Sequence, residues 1–138
     1  MSTVVGKSRF TPEDVLRLSG DERFELVDGQ LVATEMSALA SAIAARILQR
    51  LTEIVAQNDS GVVMTSEASY RCFPDDPDRV RRPDGSFIHR SRMRPDFLQG
   101  HFPICPDLAL EVVSPNDLFY EVRQKVGEYV EAGIRLIW

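Results

Sequence analysis

The 138-residue chain has the length of one ordinary domain, and its 43% hydrophobic and 27% charged residues are typical of a soluble globular protein, which excludes the disordered and fibrous classes. Sixteen basic residues against 21 acidic ones give a net charge of −5, so the overall charge does not indicate a nucleic-acid or anionic-membrane partner. Fourteen of the basic residues are arginines and only Lys7 and Lys125 are lysines, so the position of each lysine is informative.

The apolar stretches and the cysteines indicate the cellular location of the protein. No run of about 18 apolar residues suggests a membrane span, and residues 1–10 do not look like a signal peptide. We therefore expect a cytoplasmic protein with no membrane partner. Cys72 and Cys105 lie 33 positions apart without metal-binding spacing around them, which argues against structural zinc. In a reducing compartment, free thiols are expected in preference to a disulfide.

The first half of the chain predicts a short helix, a hairpin and a long helix. Residues 11–14 combine a capping threonine, a proline and two acids, and the helix they begin is expected to end near Ser19-Gly20. Asp28-Gly29, between two apolar runs, predicts a two-residue hairpin turn. From Ser37 to about Gln57, apolar residues recur at helical spacing.

The second half predicts three strands, a helix and a final strand. Strands are expected over residues 62–73 and 84–88, followed by a long loop over residues 89–106 with a short helical turn. The apolar run at residues 107–113 predicts a central strand covered on both faces. A helix over residues 118–130 closes at Ala132-Gly133, and the last strand begins at Ile134.

These elements predict an α/β fold with a central mixed β-sheet flanked by helices. The central strand, the helix after it and the returning strand form a crossover unit, which makes the last pair of strands parallel. The hairpin and the strands that follow it are expected on one side of that sheet.

Two acidic residues stand out as candidates for chemistry. Asp84 follows Arg81-Arg82-Pro83 at the start of a strand, and the alternative is a turn acid paired with a neighbouring arginine. Glu111 lies within the apolar run, where an unpaired charge costs several kcal/mol and needs a partner, a proton or a metal. Strand alternation places Glu111 on the same face as Ala109. The alternative for Glu111 is a strand-end acid bonded to a helix N-terminus.

Lys125 is the third candidate. It shares one stripe of the predicted helix with Leu118, Val122 and Tyr129, so it lies on or beside the buried side. Its ammonium group either reaches past the edge to solvent or points at a carboxylate on the sheet beneath, such as Glu111. Two carboxylates and a lysine at the end of a sheet suit hydrolysis of a phosphodiester, because carboxylate oxygens hold Mg²⁺ and an ammonium stabilises phosphoryl charge.

Several segments together resemble a known family. Residues 24–29 (FELVDG), 81–84 (RRPD), 106–115 (PDLALEVVSP), 125–129 (KVGEY) and 132–135 (AGIR) look like the successive motifs of the Uma two family. Its members are restriction-endonuclease-like nucleases of the PD-(D/E)XK superfamily. The resemblance covers nearly the whole chain and implies a restriction-endonuclease-like core, bound Mg²⁺ or Mn²⁺, and a hydrolase that cleaves phosphodiester bonds of nucleic acid, expected to be DNA.

The resemblance also implies roles for particular residues. By this match Asp84 and Glu111 are the two acids of the signature and the metal ligands. The signature lysine would stand two residues after the second acid, where this chain has Val113, and Lys125 fits a branch of the superfamily that carries it on the following helix. Glu25 resembles an additional catalytic acid near the site, and the alternative is a solvent-facing partner of an arginine.

Two further departures concern the helix before the site and the end of the chain. The family often has a histidine early in its long helix, and residues 36–47 contain none. Its members usually continue beyond the strand that begins at Ile134. We therefore expect residues 1–138 to form a single restriction-endonuclease-like domain that is truncated at its C-terminal end, and the resemblance allows a homodimer.

Arginines are concentrated before and after Asp84. Residues 79–94 hold six arginines and one aspartate, a local charge of +5 that leaves −10 on the rest of the chain. Arginine suits phosphate contact, so Arg81 and Arg82 are candidate nucleic-acid ligands. Tyr129 either bonds a phosphate or packs in the core. The alternative for the arginines is a solvated loop that balances the acidic remainder.

Three functions fit these features. The first is a metal-dependent endonuclease that uses Asp84, Glu111 and Lys125. The second is a catalytically inactive nuclease-fold protein that binds nucleic acid or a protein partner; its DNA binding would be salt-sensitive, independent of chelator and weakened by loss of Arg81 and Arg82. The third is a small-molecule or structural α/β domain in which the two acids and the lysine occur together by accident.

Overall fold

A computed structural model describes residues 8–18 and 22–138. Within these residues the elements follow the predicted order: α1 (Pro12–Arg17), β1 (Phe24–Val27), β2 (Gln30–Ala33), α2 (Ala38–Asn58), β3 (Gly61–Thr65), β4 (Gly85–His89), β5 (Leu108–Leu110), α3 (Phe119–Glu131) and β6 (Leu136–Ile137). Two short 3₁₀ helices, Arg90–Arg92 and Pro95–Leu98, lie in the loop between β4 and β5. No helix in the described ranges is long and apolar enough to cross a membrane.

Four strands form the predicted mixed sheet, in the order β3-β4-β5-β6. The pairs β3–β4 and β4–β5 are antiparallel, whereas β5 and β6 are parallel because α3 returns the chain to the same end of the sheet. The hairpin β1-β2 is a separate two-stranded sheet. In the hairpin, Leu26 forms a bridge with Val80, in the segment before β4, and the two residues exchange backbone hydrogen bonds of 2.8 and 2.9 Å.

The strand β5 is covered on both faces, as its apolar run predicts. Leu108 and Leu110 pack with Ala44 of α2 on one face. Ala109 packs with Tyr129 of α3 on the other face. Side-chain alternation therefore directs Glu111, the residue after β5, toward α3.

Turn and cap residues set the bounds of the helices and the hairpin. Asp28 and Gly29 have φ of 51° and 76°, the positive values that a tight two-residue hairpin turn requires. Thr11 forms a capping box at the start of α1. The helix ends at Arg17 with Leu18 as its C-cap, and the predicted end near Ser19-Gly20 lies outside the described residues.

The strand predicted over residues 62–73 is shorter than expected. It ends at Thr65, because Tyr70 leaves the sheet edge and forms bridges with Arg81 and with Phe102. The segment around Tyr70 thereby becomes a connection between the hairpin side of the molecule and the loop before β5. Tyr70 is 1% exposed and stacks on Phe102 with ring centroids 5.1 Å apart.

Cys72 and Cys105 form a disulfide, and the expectation of free thiols is wrong. The Arg71 backbone N–H donates to the Phe102 carbonyl at 2.9 Å, which aligns the two segments and brings the cysteine Cα atoms to 5.3 Å. The disulfide packs beside Phe73 and Tyr129 in one apolar cluster. Sequence spacing alone cannot reveal this pairing, because it depends on contacts between segments more than 30 residues apart.

Candidate functional site

A cavity of about 420 Å³ lies where the hairpin, the end of β5 and the N-terminal half of α3 meet. Four predicted catalytic residues line it: Glu25 of β1, Asp84 just before β4, Glu111 just after β5 and Lys125 of α3. The antiparallel pairing of β4 and β5 puts Asp84 and Glu111 at the same end of the sheet, since Gly85 pairs with Leu110. The sequence thus places these side chains around one cavity through four different elements.

Glu111 is held by a phenol and an ammonium group. Tyr129 OH donates to Oε1 at 2.6 Å, and Lys125 Nζ lies 3.7 Å from Oε2. Burial raises the pKa of Glu111 to about 7, although the Lys125 charge and the tyrosine hydrogen bond oppose this rise. Its partners come from the side of α3, so the alternative of a hydrogen bond to a helix N-terminus does not describe this residue.

Asp84 is fixed by the backbone of the neighbouring strand. Its Oδ2 accepts a 2.6 Å hydrogen bond from the Val112 N–H, and this contact ties the start of β4 to the residue that follows Glu111. Burial raises the pKa of Asp84, and the Val112 hydrogen bond and the Lys125 charge oppose the rise. Among the described residues Asp84 has no ion pair with an arginine, so the alternative of a turn acid paired with its neighbour does not apply.

Lys125 points inward instead of reaching to solvent. Its Nζ lies 3.3 Å from Glu25 Oε1 and 3.7 Å from Glu111 Oε2, and its side chain is 22% exposed. Burial alone would lower the pKa of Lys125, but the charges of Glu25 and Glu111 more than offset burial and raise it. The amine therefore carries its charge at neutral pH.

Glu25 lies in the site, but both of its carboxylate oxygens are already engaged. Oε2 accepts from Arg81 Nη1 at 3.0 Å, whereas Oε1 accepts from the Arg82 backbone N–H at 2.9 Å and faces Lys125. Glu25 is 1% exposed, so it is an arginine partner, as the alternative states, but a buried one rather than a solvent-facing one. These contacts make Glu25 a carboxylate that positions basic groups.

Arg81 has a different environment from the one expected for a nucleic-acid ligand. It is 6% exposed, and its Nε and Nη2 donate to the two carboxylate oxygens of Glu128 at 2.7 and 2.9 Å. With Nη1 bonded to Glu25, all three guanidinium nitrogens have carboxylate partners. Glu128, one helical turn after Lys125, was not predicted as part of the site; an acid beside the stripe predicted to be buried was the available signal.

Arg82 and the other arginines near Asp84 are also occupied. Arg82 is half-buried beside the cavity, and it donates to the carbonyls of Phe24 and Glu67 at 3.0 and 2.8 Å. The remaining four arginines of residues 79–94 form ion pairs: Arg79 with Asp75, Arg90 with Asp59, Arg92 with Asp107 and Arg94 with Asp96. The local charge of +5 in the sequence is therefore largely cancelled in the fold, as the alternative of a balancing loop predicts.

Tyr129 packs in the core and does not face a phosphate. It is 1% exposed, and its ring stacks on Phe73 with centroids 6.3 Å apart. Its hydroxyl group donates to Glu111, so Tyr129 orients an acid of the site. Of the three residues predicted to bind nucleic acid, Arg81 and Arg82 line the cavity and Tyr129 does not.

The lining of the cavity is acidic overall. Seven acidic side chains and three basic ones line it: Glu25, Asp28, Glu35, Asp84, Glu111, Asp117 and Glu121 against Arg81, Arg82 and Lys125. Such a lining repels a polyanion and attracts a cation.

Asp84 and Glu111 are suitable donors for Mg²⁺ or Mn²⁺. Both supply hard carboxylate oxygens, and Mg²⁺ in phosphoryl-transfer sites is commonly held by one or two carboxylates together with waters and substrate phosphate. In the described part of the chain, no group of three or more His, Cys, Asp or Glu residues could hold a metal ion. A cation held by Asp84 and Glu111 would therefore have two protein ligands and would take its other ligands from water or substrate.

Comparison with known proteins identifies the family. The Uma2 (Uma two) family model, described as "Putative restriction endonuclease", matches residues 12–138. The chain is similar to a crystal structure described as a putative nuclease belonging to DUF820 from Anabaena variabilis ATCC 29413, with a TM-score of 0.75 and 20% identity over 94% of this chain and 72% of that chain. That likeness shows the fold alone, and a search of curated proteins finds no match. The predicted restriction-endonuclease-like α/β fold is confirmed, and the chain belongs to the Uma2 "Putative restriction endonuclease" family.

Proposed function

We propose that this protein is a metal-dependent endonuclease that hydrolyses phosphodiester bonds of nucleic acid, with DNA as its substrate and Mg²⁺ or Mn²⁺ as its cofactor. The observation that carries the proposal is the meeting of Asp84, Glu111 and Lys125 at one cavity in a chain of this family. Each of the three comes from a different element, and each has the chemistry that hydrolysis of a phosphodiester needs.

Asp84 and Glu111 are the residues that would hold the cation. A bound divalent ion would polarise a phosphoryl oxygen and lower the pKa of a water molecule. The Val112 N–H and the Tyr129 hydroxyl each occupy one carboxylate oxygen, which fixes the direction of both side chains. Because the pKa of Glu111 is raised to about 7, its carboxyl group holds a proton below that pH, and this proton competes with the cation.

Lys125 supplies a fixed positive charge beside the acids. Its ammonium group is 3.7 Å from Glu111, close enough to stabilise negative charge that develops on a phosphoryl oxygen or to orient water. Since the raised pKa keeps the amine protonated, Lys125 acts as a charge and hydrogen-bond donor and not as a general base.

The acidic lining makes the cation necessary for substrate binding as well as for chemistry. With seven acidic and three basic side chains around the cavity, an approaching phosphate meets net repulsion. A divalent cation at Asp84 and Glu111 reduces that repulsion at the point where the phosphate must sit. This favours a metal-dependent nuclease over a protein that binds nucleic acid without metal.

Cleavage of defined substrates tests the proposal. Supercoiled plasmid, single-stranded DNA and RNA are incubated with the protein and Mg²⁺, Mn²⁺ or chelator. We expect cleavage only with metal, with a rate that falls by about 100-fold or more in Asp84→Asn, Glu111→Gln and Lys125→Met. Asp96→Asn, which removes an exposed acid outside the cavity, is the control and should cleave normally. Wild-type protein that cleaves none of these substrates with either metal contradicts the proposal.

The alternative, a catalytically inactive nuclease-fold protein, makes a different prediction. It requires binding of nucleic acid, or of a protein partner, that persists in chelator. Arg82→Ala is the informative variant for nucleic acid, with Arg94→Ala as its exposed control, because Arg81→Ala would leave Glu25 and Glu128 buried without their partner. DNA binding in chelator that is weakened by Arg82→Ala alone favours this alternative.

A further inference from the structure

A buried network of four charged side chains lies directly behind the site. Glu25, Arg79, Arg81 and Glu128 are each less than a tenth exposed. Arg81 is at its centre, since its Nη1 bonds Glu25 at 3.0 Å while Nε and Nη2 bond both oxygens of Glu128 at 2.7 and 2.9 Å. A planar guanidinium can bridge two carboxylates in this way, and a lysine ammonium cannot reproduce the fork.

Glu25 connects this network to the cavity. One of its oxygens is fixed by Arg81, and the other faces Lys125 Nζ at 3.3 Å and accepts from the Arg82 backbone N–H. The carboxylate therefore cannot rotate away from Lys125 without breaking its bond to Arg81. The shorter of the two Lys125 ion pairs is thus set by an arginine that does not itself touch Lys125.

Glu128 connects the same arginine to the helix that carries Lys125. It follows Lys125 by one turn of α3, and the paired hydrogen bonds from Arg81 fix the helix at that turn. Lys125 is held at its ammonium end through Glu25 and near its backbone through Glu128. Both constraints pass through Arg81.

We infer that Arg81 is a positioning residue that holds the Lys125 ammonium group beside Glu111 through Glu25 and Glu128. The catalytic consequence rests on the proposed function, whereas the placement of Lys125 does not. When Arg81 is replaced, its hydrogen bonds to Glu25 and Glu128 are lost. The Glu25 carboxylate can then rotate and α3 is less firmly held, so the ammonium group of Lys125 loses its fixed position. The acids Asp84 and Glu111 keep their own hydrogen bonds from Val112 and Tyr129.

The scarcity of lysine makes this inference directly measurable. In wild-type protein labelled with ¹⁵N at lysine Nζ, spectra contain signals from Lys7 and Lys125 alone, and Lys125→Arg assigns them. A variant that replaces an arginine with lysine adds one further signal, and the same variant combined with Lys125→Arg shows which of its signals belongs to Lys125. The protons of an ammonium group held in ion pairs exchange slowly with water, so the group gives a distinct cross-peak. We expect such a peak from Lys125 in wild-type protein, and its loss in Arg81→Lys.

Two further variants complete the test. Arg79→Lys is the matched control, because Arg79 is as buried as Arg81 and shares Glu128 but has no contact with Glu25 among the described residues. This variant should keep the Lys125 peak. If the network only stabilised the fold, Arg79→Lys and Arg81→Lys would affect the peak alike. Glu25→Gln removes the charge that faces Lys125 and should abolish the peak, so it decides the matter if Arg81→Lys does not fold.

Activity provides a separate readout. In Arg81→Lys we expect kcat to fall by about tenfold or more while Mn²⁺ affinity stays within about twofold, since misplacement of a reacting group affects the chemical step. A Lys125 peak that is absent in wild type, or unchanged in both Arg81→Lys and Glu25→Gln, overturns the inference. A peak that behaves as expected in a protein that cleaves nothing contradicts the proposed function alone.

Discussion

At the scale of single residues, the three acids of the site have different roles because they have different partners. Glu25 has partners on both oxygens, Asp84 accepts one backbone hydrogen bond, and Glu111 is held by Tyr129 near Lys125. The sequence pattern identified Asp84 and Glu111 as candidates, and the family resemblance added Glu25. The sequence could not predict that Glu25 pairs with Arg81, because that pair joins segments 56 residues apart and forms only when the hairpin packs against the rest of the fold.

Glu111→Gln is expected to stabilise the metal-free protein at high pH. Burial raises the pKa of Glu111 from 4.5 to about 7, so the stability that the protonated group contributes is complete below pH 4.5 and is lost as the pH rises through 7. The full loss is on the order of 3 kcal/mol. A glutamine stays neutral and still accepts the Tyr129 hydrogen bond.

Urea unfolding at pH 5 and pH 8.5 in chelator measures this difference. The free energy of unfolding of Glu111→Gln should exceed that of wild type at pH 8.5 by more than it does at pH 5. Glu53→Gln, at an exposed position, is the control and should show no such change. An equal difference at both pH values would refute the account of Glu111.

At the scale of elements, hydrophobic periodicity and caps predicted most of the fold. The Asp28-Gly29 turn, the long helix α2 and the helix α3 closing at Gly133 agree with their patterns. The strand β3 was predicted too long, because the bridges of Tyr70 to Arg81 and Phe102 override the local alternation. Long-range contacts of this kind leave no periodic signal in the sequence.

Two glycines test how these elements are packed. Gly127 lies inside α3 with no atom within 4 Å of an added Cβ, so Gly127→Ala should stabilise the protein by about 1 kcal/mol through helix propensity. Gly61 begins β3 against the Ile88 carbonyl and the Phe87 ring, so Gly61→Ala should destabilise it by about 1–3 kcal/mol. Thermal and urea unfolding measure both changes, and a stabilised Gly61→Ala would contradict the packing of β3 on β4.

At the scale of the whole molecule, the net charge does not indicate the charge that surrounds the cavity. In the sequence, the net charge of −5 is the sum of +5 around Asp84 and −10 over the rest of the chain. Folding pairs most of those arginines with acids and leaves a cavity lined mainly by carboxylates. The distribution of charge that matters for function is therefore produced by tertiary contacts, which charge counting along the chain cannot reveal.

The single domain over residues 1–138, the cytoplasmic location and the homodimer stay predictions.

The disulfide is expected to contribute to the stability of the whole molecule. Cys72–Cys105 closes a loop across 33 positions, and a bond of that span stabilises a protein by about 2–4 kcal/mol. Urea unfolding with and without reductant should show a loss of this size. The double variant Cys72→Ser with Cys105→Ser is the control, since reductant should not affect it. Wild-type stability that is insensitive to reductant would contradict the pairing.

The central claim is that Asp84 and Glu111 together hold a divalent cation. Diffraction from a crystal soaked in Mn²⁺, collected where manganese scatters anomalously, tests it most directly. We expect an anomalous peak in contact with carboxylate oxygens of both residues, absent in Asp84→Asn, with the Lys125 ammonium still between Glu25 and Glu111. Manganese bound only at other acids of the lining, such as Asp28 or Asp117, or no manganese in the cavity, would contradict the account.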